Sequence, residues 1–198
     1  MFKRAVLLLS IGVLAACQPS APAAPAAPDV RLYAMDCGRI DFPNTDMFAD
    51  DGSFADQPRT LIDPCYLIRH PDGDLIWDVG FPDAVADMPN GLDIAAMGAR
   101  VTMPVKLVDQ LAQLELTPAD IEFLSLSHMH TDHTGNANLF AASTWIVDAD
   151  ERAAMFSEQG RANAEGFATY SALENAETVL IEGDAPHDVF GCLLYTSP

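Results

Sequence analysis

Three of the chain's five histidines lie within six positions, next to an aspartate. His128, His130, Asp132 and His133 fall in the stretch SLSHMHTDHTGN. His128 and His130 follow an apolar segment at a spacing of two, so in extended geometry their imidazoles point the same way and can hold one divalent metal ion. Asp132 and His133 come where the chain turns, and a carboxylate beside an imidazole suits a second cation. The pattern predicts a site for two divalent cations, with zinc as the expected metal; a histidine-rich surface loop or a helix cap is the alternative.

The segments around this cluster predict strands that alternate with helices, as in a layered α/β domain. Two of them, CYLIRH and LIWDVG, predict a hairpin through the turn PDGD. A strand in IEFLSLS leads directly into the cluster, and a helix from about Asp150 follows a strand in TWIVD. Further strands are predicted in VRLYAMDCGRI and AETVLIEGD, a helix in PVKLVDQLAQLEL, and a single turn that opens at Thr117 and Pro118.

The stretch HMHTDHTGN resembles the HxHxDH signature of the metallo-β-lactamase superfamily, and Asp78 in LIWDVG resembles the aspartate at a strand end of that superfamily. Together with LYAMDCGRI and PCYLIRHPDGDLIWDVG, these motifs are most similar to the branch that contains N-acyl-homoserine lactonases. The resemblance covers roughly residues 30 to 191. It implies the N-terminal half of an αββα sandwich, in which two sheets are flanked by helices.

The resemblance also implies metal-assisted hydrolysis. His128 and His130 would bind the first cation, Asp132 and His133 the second, and Asp78 would support the ligands from behind. A water between the cations would attack the substrate carbonyl, and Asp132 would also steer that water. The implied substrate is a lactone, with a β-lactam, a thioester or another ester as alternatives, and a homodimer is possible. From another class, a metal-binding lipoprotein without turnover stays open.

Members of the superfamily use more ligands than the quartet. After His133 the chain has only His187, which we expect in a surface loop, as we expect His70 at the surface of the hairpin turn. The last residues, 192–198, read CLLYTSP and resemble a translated sequencing adapter rather than native protein. We therefore expect a partial domain over 29–191, inactive by itself, with an apolar sheet face left uncovered and marginal stability.

The first residues predict export. Residues 1–16 have two basic side chains followed by a short apolar run, which is typical of a signal peptide, and LAAC places Cys17 where bacterial lipoproteins are lipidated. Residues 17–28 form a Pro/Ala-rich linker. These features predict a lipid-anchored protein, at the outer membrane and facing the periplasm.

The charge of the chain is strongly acidic, with 10 Lys and Arg against 29 Asp and Glu and a net charge of −19. Loss of Lys3 and Arg4 with the signal peptide would lower it further. Such a surface repels phosphate backbones, so nucleic-acid partners are excluded. Cys37 and Cys65 lie in predicted strands, and the sequence leaves open whether they are buried free thiols or a disulfide.

Overall fold

The computed structural model describes residues 29–183 and 186–191. Its strands are β1 (Arg31–Phe42), β2 (Arg59–His70), β3 (Gly73–Trp77), β4 (Leu92–Ile94), β5 (Ala99–Thr102), β6 (Phe123–Ser125), β7 (Thr144–Asp148) and β8 (Thr178–Ile181). Its α-helices are α1 (Leu107–Ala112), α2 (Thr131–Thr134), α3 (Ala149–Met155), α4 (Glu158–Ala162) and α5 (Ala164–Tyr170). Within these residues the strands form one eight-stranded sheet in the order β4-β5-β1-β2-β3-β6-β7-β8. The predicted α/β class is confirmed.

The sheet changes from antiparallel to parallel pairing at β3. β2 and β3 form the predicted hairpin, with Tyr66 opposite Trp77 and His70 opposite Gly73. β3 then pairs in parallel with β6, and Trp77 aligns with Ser125. Because the carboxyl ends of neighbouring parallel strands meet at the same edge of a sheet, the residues that follow Trp77 and Ser125 lie side by side.

The helices pack on one face of this sheet. The core between them includes Leu67, Ile76, Leu124 and Trp145 from the strands, and it continues into Leu107 and Leu111 of α1, Met155 of α3 and Tyr170 of α5. On the same face, a disulfide joins Cys37 to Cys65 with 5.7 Å between their Cα atoms. The disulfide therefore settles the alternative that the sequence left open.

The other face of the sheet carries exposed apolar side chains, as predicted. Leu32 is 65%, Ile62 69% and Trp77 42% exposed. The prediction for His70 on this face is wrong, because its side chain is buried. The ring of Phe190 stacks on the His70 imidazole at a centroid distance of 4.4 Å, and His70 Nδ1 accepts a hydrogen bond from the backbone N–H of Asp72.

Several elements differ from the sequence-based prediction. α1 is shorter than the apolar spacing suggested, since Glu115 has a φ of 61° and ends the helical run. The helix predicted from about Asp150 is present as α3, whereas the helices α4 and α5 and the short strands β4 and β5 were not predicted. At Thr117 the expected turn is present, and both its N–H and its hydroxyl donate to Asp120.

Some predictions fall on residues 1–28 and 192–198, outside the described residues. They concern the signal peptide, the lipidated Cys17, the linker and the non-native tail. Among the residues that the structure does describe, no helix is both long enough and apolar enough to cross a membrane.

Candidate metal centre

Asp78 is the first residue after β3, and its carboxylate joins two segments of the site. Its Oδ1 accepts a hydrogen bond from the backbone N–H of Ser127 at 2.7 Å, and its Oδ2 lies 2.9 Å from His133 Nδ1. The residue is buried and has a φ of 56°, a backbone conformation that is uncommon for residues other than glycine. Asp78 therefore contacts His133 directly, and its role in supporting metal ligands stays a prediction.

The three imidazoles and Asp132 converge as predicted from their spacing. The ring centroid of His128 lies 4.5 Å from that of His130 and 4.3 Å from that of His133. His128 Nε2 faces His130 Nδ1 at 2.9 Å, while Ser127 Oγ lies 3.1 Å from the other nitrogen of His128. On the other side, His133 Nε2 is 3.4 Å from Asp132 Oδ2.

These distances fit two pairs of metal ligands. Two ligand atoms on one tetrahedral zinc, each with a bond of about 2.0–2.1 Å, lie roughly 3.3 Å apart. The separations of 2.9 Å for His128 and His130, and of 3.4 Å for Asp132 and His133, are close to that value. Within residues 29–183 and 186–191, no three His, Cys, Asp or Glu side chains are arranged to hold one ion. Among these residues the quartet thus presents two facing pairs of donor atoms, His128 with His130 and Asp132 with His133.

The turn after the quartet is held against the loop that follows Asp78. A Cβ on Gly135 would lie 2.3 Å from the backbone nitrogen of Pro82, so only glycine fits this close approach. Asn136 donates from Nδ2 to the carbonyl oxygens of Val79 and Phe81, at 2.8 and 2.7 Å. These contacts fix α2, and with it His133, relative to the end of β3.

The charges and the burial of the site raise the pKa of one of its groups and lower the pKa of others. Hydrogen bonds to Asp132 and Asp78 raise the pKa of His133 to about 10. Burial by itself would raise the pKa of Asp132, but the hydrogen bond and charge of His133 lower it overall. Burial, together with the charges of His133 and His130, lowers the pKa of His128. The lowered pKa of His128 favours the neutral ring that binds metal, whereas the raised pKa of His133 means that a metal ion would have to displace a proton from that ring.

Asp63, on β2, is a buried carboxyl group that sequence reasoning missed. Its Oδ2 has no hydrogen-bond partner in the structure. Burial is the largest cause that raises the pKa of Asp63 to about 7; the charge of His133 acts against it, and Asp132 and Asp78 add to the rise. No motif marks this position, because an aspartate in a strand could equally lie on an exposed face.

A cavity of about 760 Å³ opens beside the quartet. His130 and Asp132 lie in its wall, and the rest of the lining is largely apolar, with Phe42, Phe81 and Met129 among its residues. Sequence reasoning did not find this cavity, since its walls come from loops and strands far apart along the chain. The arrangement can bring an apolar substrate to the edge of the candidate metal centre.

Comparison with known sequences decides the family. The profile of the Metallo-beta-lactamase superfamily matches residues 60–185. The chain belongs to this superfamily. The matched range contains Asp78 and the whole histidine cluster, and the predicted resemblance is confirmed.

The similar proteins are lactonases. The N-acyl homoserine lactonase AttM of Rhizobium johnstonii is 35% identical over 126 residues, which are 62% of this chain and 47% of AttM. An N-acyl homoserine lactonase of a Bacillus species is 26% identical over 161 residues, 78% of this chain and 60% of the relative. The chain thus spans about half the length of AttM.

Solved structures show the same fold. A quorum-quenching N-acyl homoserine lactone hydrolase aligns with a TM-score of 0.61 at 22% identity, over 81% of this chain and 60% of that one. The dizinc quorum-quenching lactonase AidC aligns with a TM-score of 0.54 at 16% identity, over 83% of this chain and 62% of AidC.

The histidines outside the quartet lie apart from the candidate centre. His187 is exposed, as predicted for a surface loop. His70 is enclosed by Phe190 on the sheet face opposite the helices. The structure brings together the four predicted ligands and Asp78, and it adds Asp63 and the cavity wall.

Proposed function

We propose that this protein is a metal-dependent hydrolase that opens lactones, N-acyl homoserine lactones first among them, with two zinc ions. The observation that carries the proposal is the pairing of the four candidate ligands, two of which, His130 and Asp132, line an apolar cavity. The curated relatives support it, since they are named N-acyl homoserine lactonases. The solved structure of AidC, a dizinc lactonase with a bound product, supports the choice of metal.

In this proposal the quartet is divided by its geometry. His128 and His130 would hold one cation through the facing nitrogens Nε2 and Nδ1, and Asp132 with His133 Nε2 would hold the other. When bound, two such cations supply Lewis acidity, which lowers the pKa of a water molecule and polarises a carbonyl. Asp78 keeps His133 Nε2 free for metal by accepting from Nδ1. Asp132 lies on the cavity wall, where it would accept a proton from the attacking water and donate it to the oxygen that leaves when the C–O bond of the lactone breaks.

The cavity selects for an apolar substituent on the substrate. Phe42, Phe81 and Met129 present carbon surface next to His130 and Asp132, so an acyl chain would be removed from water while its ester stayed at the metals. A lactone with a longer acyl chain should therefore be a better substrate than one with a short chain.

Location and assembly are also proposals. The sequence of residues 1–17 supports export and a lipid anchor on Cys17, with the domain facing the periplasm. Labelling with a radioactive fatty acid, lost on Cys17→Ser, is the test of the anchor. The family resemblance supports a possible homodimer, and sedimentation of the whole protein is the test of that.

Because this chain spans about half the length of AttM, hydrolysis assays on a version that spans the full length of the relatives test the proposed activity. Zinc-loaded protein should open N-acyl homoserine lactones, and kcat/KM should rise from a butanoyl to a decanoyl chain. A β-lactam and a thioester serve as competing substrates, and preference for either would overturn the lactonase proposal. Zinc uptake without any turnover would instead favour a metal-binding lipoprotein. His128→Ala should remove hydrolysis while the thermal unfolding midpoint stays nearly unchanged.

A further inference from the structure

The backbone between His128 and His130 forms a hydrogen bond with a side chain of a neighbouring helix. The backbone N–H of Met129 donates a hydrogen bond of 2.7 Å to Oε1 of Glu151, which lies in the first turn of α3. Glu151 is 22 residues further along the chain and belongs to none of the motifs that mark the site. The contact therefore links the metal-ligand segment to an element outside it.

We propose that Glu151 is a positioning residue that orients His128 and His130 toward a shared cation. The inference rests on the proposed function, because it concerns the same metal centre. The 2.7 Å hydrogen bond to Oε1 fixes the direction of the Met129 N–H, and an uncharged acceptor oxygen at the same place would do so as well. The Met129 N–H belongs to the peptide that joins His128 to Met129, and the following peptide joins Met129 to His130. The orientation of these two peptides sets the directions of the two imidazoles.

The two halves of the centre are anchored differently. The imidazole of His133 contacts the carboxylates of Asp78 and Asp132 directly. The rings of His128 and His130 instead contact each other and the hydroxyl of Ser127. The orientation of these two rings therefore depends more on the backbone than that of His133 does. The Met129 N–H is the part of that backbone that Glu151 contacts.

Glu151 is itself well fixed. Its backbone N–H donates to Oδ1 of Asp148, the residue that caps α3, at 3.1 Å. The helix packs into the core through Met155, which is fully buried. β7, which precedes α3, pairs in parallel with β6, the strand that leads to the quartet. The carboxylate therefore belongs to a rigid part of the fold.

A second carboxylate supports the same segment two residues earlier. Asp78 accepts from the N–H of Ser127, two residues before Met129. Carboxylates from β3 and from α3 thus hold alternate peptide groups of the same short segment. Such support from outside the ligand set changes metal affinity by about 10- to 100-fold in other metalloproteins.

Three substitutions at Glu151 separate its reach from its charge. Glu151→Gln keeps an acceptor oxygen at the same distance and removes the charge. Glu151→Asp keeps the charge but is one methylene too short to reach Met129. Glu151→Ala removes both. Asp150→Ala is the matched control, since Asp150 is an exposed acid in the same helical turn.

The measurement is zinc affinity of the full chain by competition with a chromogenic chelator, together with the thermal unfolding midpoint without metal. We expect Glu151→Asp and Glu151→Ala to weaken the tighter zinc equivalent at least tenfold, Glu151→Gln to stay within about threefold of wild type, and Asp150→Ala to be unchanged. Cobalt spectra should show altered ligand-field bands for the Asp variant and not for the Gln variant.

The outcomes distinguish the inference from the proposed function. If the wild-type chain takes up no zinc, the proposed metal centre fails and this inference with it. If the wild type binds zinc and all Glu151 variants match it, only the role of Glu151 is overturned. If the Glu151→Gln variant binds zinc weakly and the Glu151→Asp variant binds it as the wild type does, Glu151 acts through its charge, and the positioning role is overturned. The two conservative variants keep this comparison available even if Glu151→Ala does not fold.

Discussion

His133 and Asp78 are joined by a 2.9 Å contact between Nδ1 of the imidazole and Oδ2 of the carboxylate. The contact fixes which nitrogen of His133 remains available, because Nε2 then faces Asp132. It spans 55 residues of sequence and ties the end of β3 to α2. The orientation of His133 toward Asp132 therefore depends on Asp78, a residue outside the proposed ligand quartet.

Replacement of Asp78 should weaken both the fold and the metal site. Asp78→Asn keeps a side chain that tolerates positive φ but removes the charge that His133 and Ser127 contact. We expect a loss of about 1 to 3 kcal/mol in the free energy of unfolding, and at least tenfold weaker zinc binding. Urea unfolding and chelator competition measure the two effects. A variant as stable as wild type, with equal zinc affinity, would refute this role.

Zinc binding should release a proton from His133. Its pKa is raised to about 10, so the metal-free ring is protonated at pH 7 and zinc must displace that proton. The apparent affinity of this pair should therefore rise with pH up to about 10, by about tenfold per unit. Calorimetry in two buffers of different ionisation enthalpy measures the release. Affinity that is constant between pH 6 and pH 8 would contradict the assignment.

Asp63 should make the metal-free protein less stable as the pH rises. Its pKa is raised from 3.8 in the unfolded chain to about 7 in the folded one, so the folded state favours the protonated carboxyl. The contribution of Asp63 to stability is therefore fully present below pH 3.8 and is lost as the pH rises through 7. Asp63→Asn should remove this loss and stabilise the protein by roughly 2 to 4 kcal/mol at pH 8, with little change at pH 4.

Urea unfolding at both pH values measures the effect of Asp63. Asp150→Asn is the control, since it removes an exposed carboxylate from the same protein. If Asp63→Asn shifts stability equally at pH 4 and pH 8, the carboxyl does not titrate in this range and the prediction fails.

The disulfide should contribute measurably to stability. It closes a loop with a sequence separation of 28 between Cys37 and Cys65. A loop of that length implies about 3 to 4 kcal/mol from reduced entropy of the unfolded chain. The double variant Cys37→Ser, Cys65→Ser should unfold at a correspondingly lower urea concentration. Reductant should destabilise the wild type and leave the double variant unaffected; equal sensitivity of both would contradict the prediction.

The sequence predicted those features that depend on local spacing. The interval between His128 and His130, just after an apolar strand, was enough to place two imidazoles together. The hairpin followed from turn chemistry around Gly73, and β7 followed from a compact apolar run. These signals lie within a few residues of one another, so a single sequence carries them.

Features that depend on distant contacts could not be predicted. Burial of His70 comes from Phe190, which is 120 residues away in the chain. The link from Glu151 to Met129 and the unpaired carboxyl of Asp63 likewise arise only when separate strands and helices pack. The pairing of Cys37 with Cys65 needed a distance that the sequence does not contain.

A zinc titration of the chain tests the metal centre most directly. Nuclear magnetic resonance would follow the side-chain ring nitrogens of the five histidines during the titration. We predict that zinc shifts the signals of His128, His130 and His133, with saturation at two equivalents, while the enclosed His70 and the exposed His187 stay unchanged. A titration that leaves the three clustered histidines unperturbed, or moves His187 as much as them, would contradict a dinuclear site at the quartet.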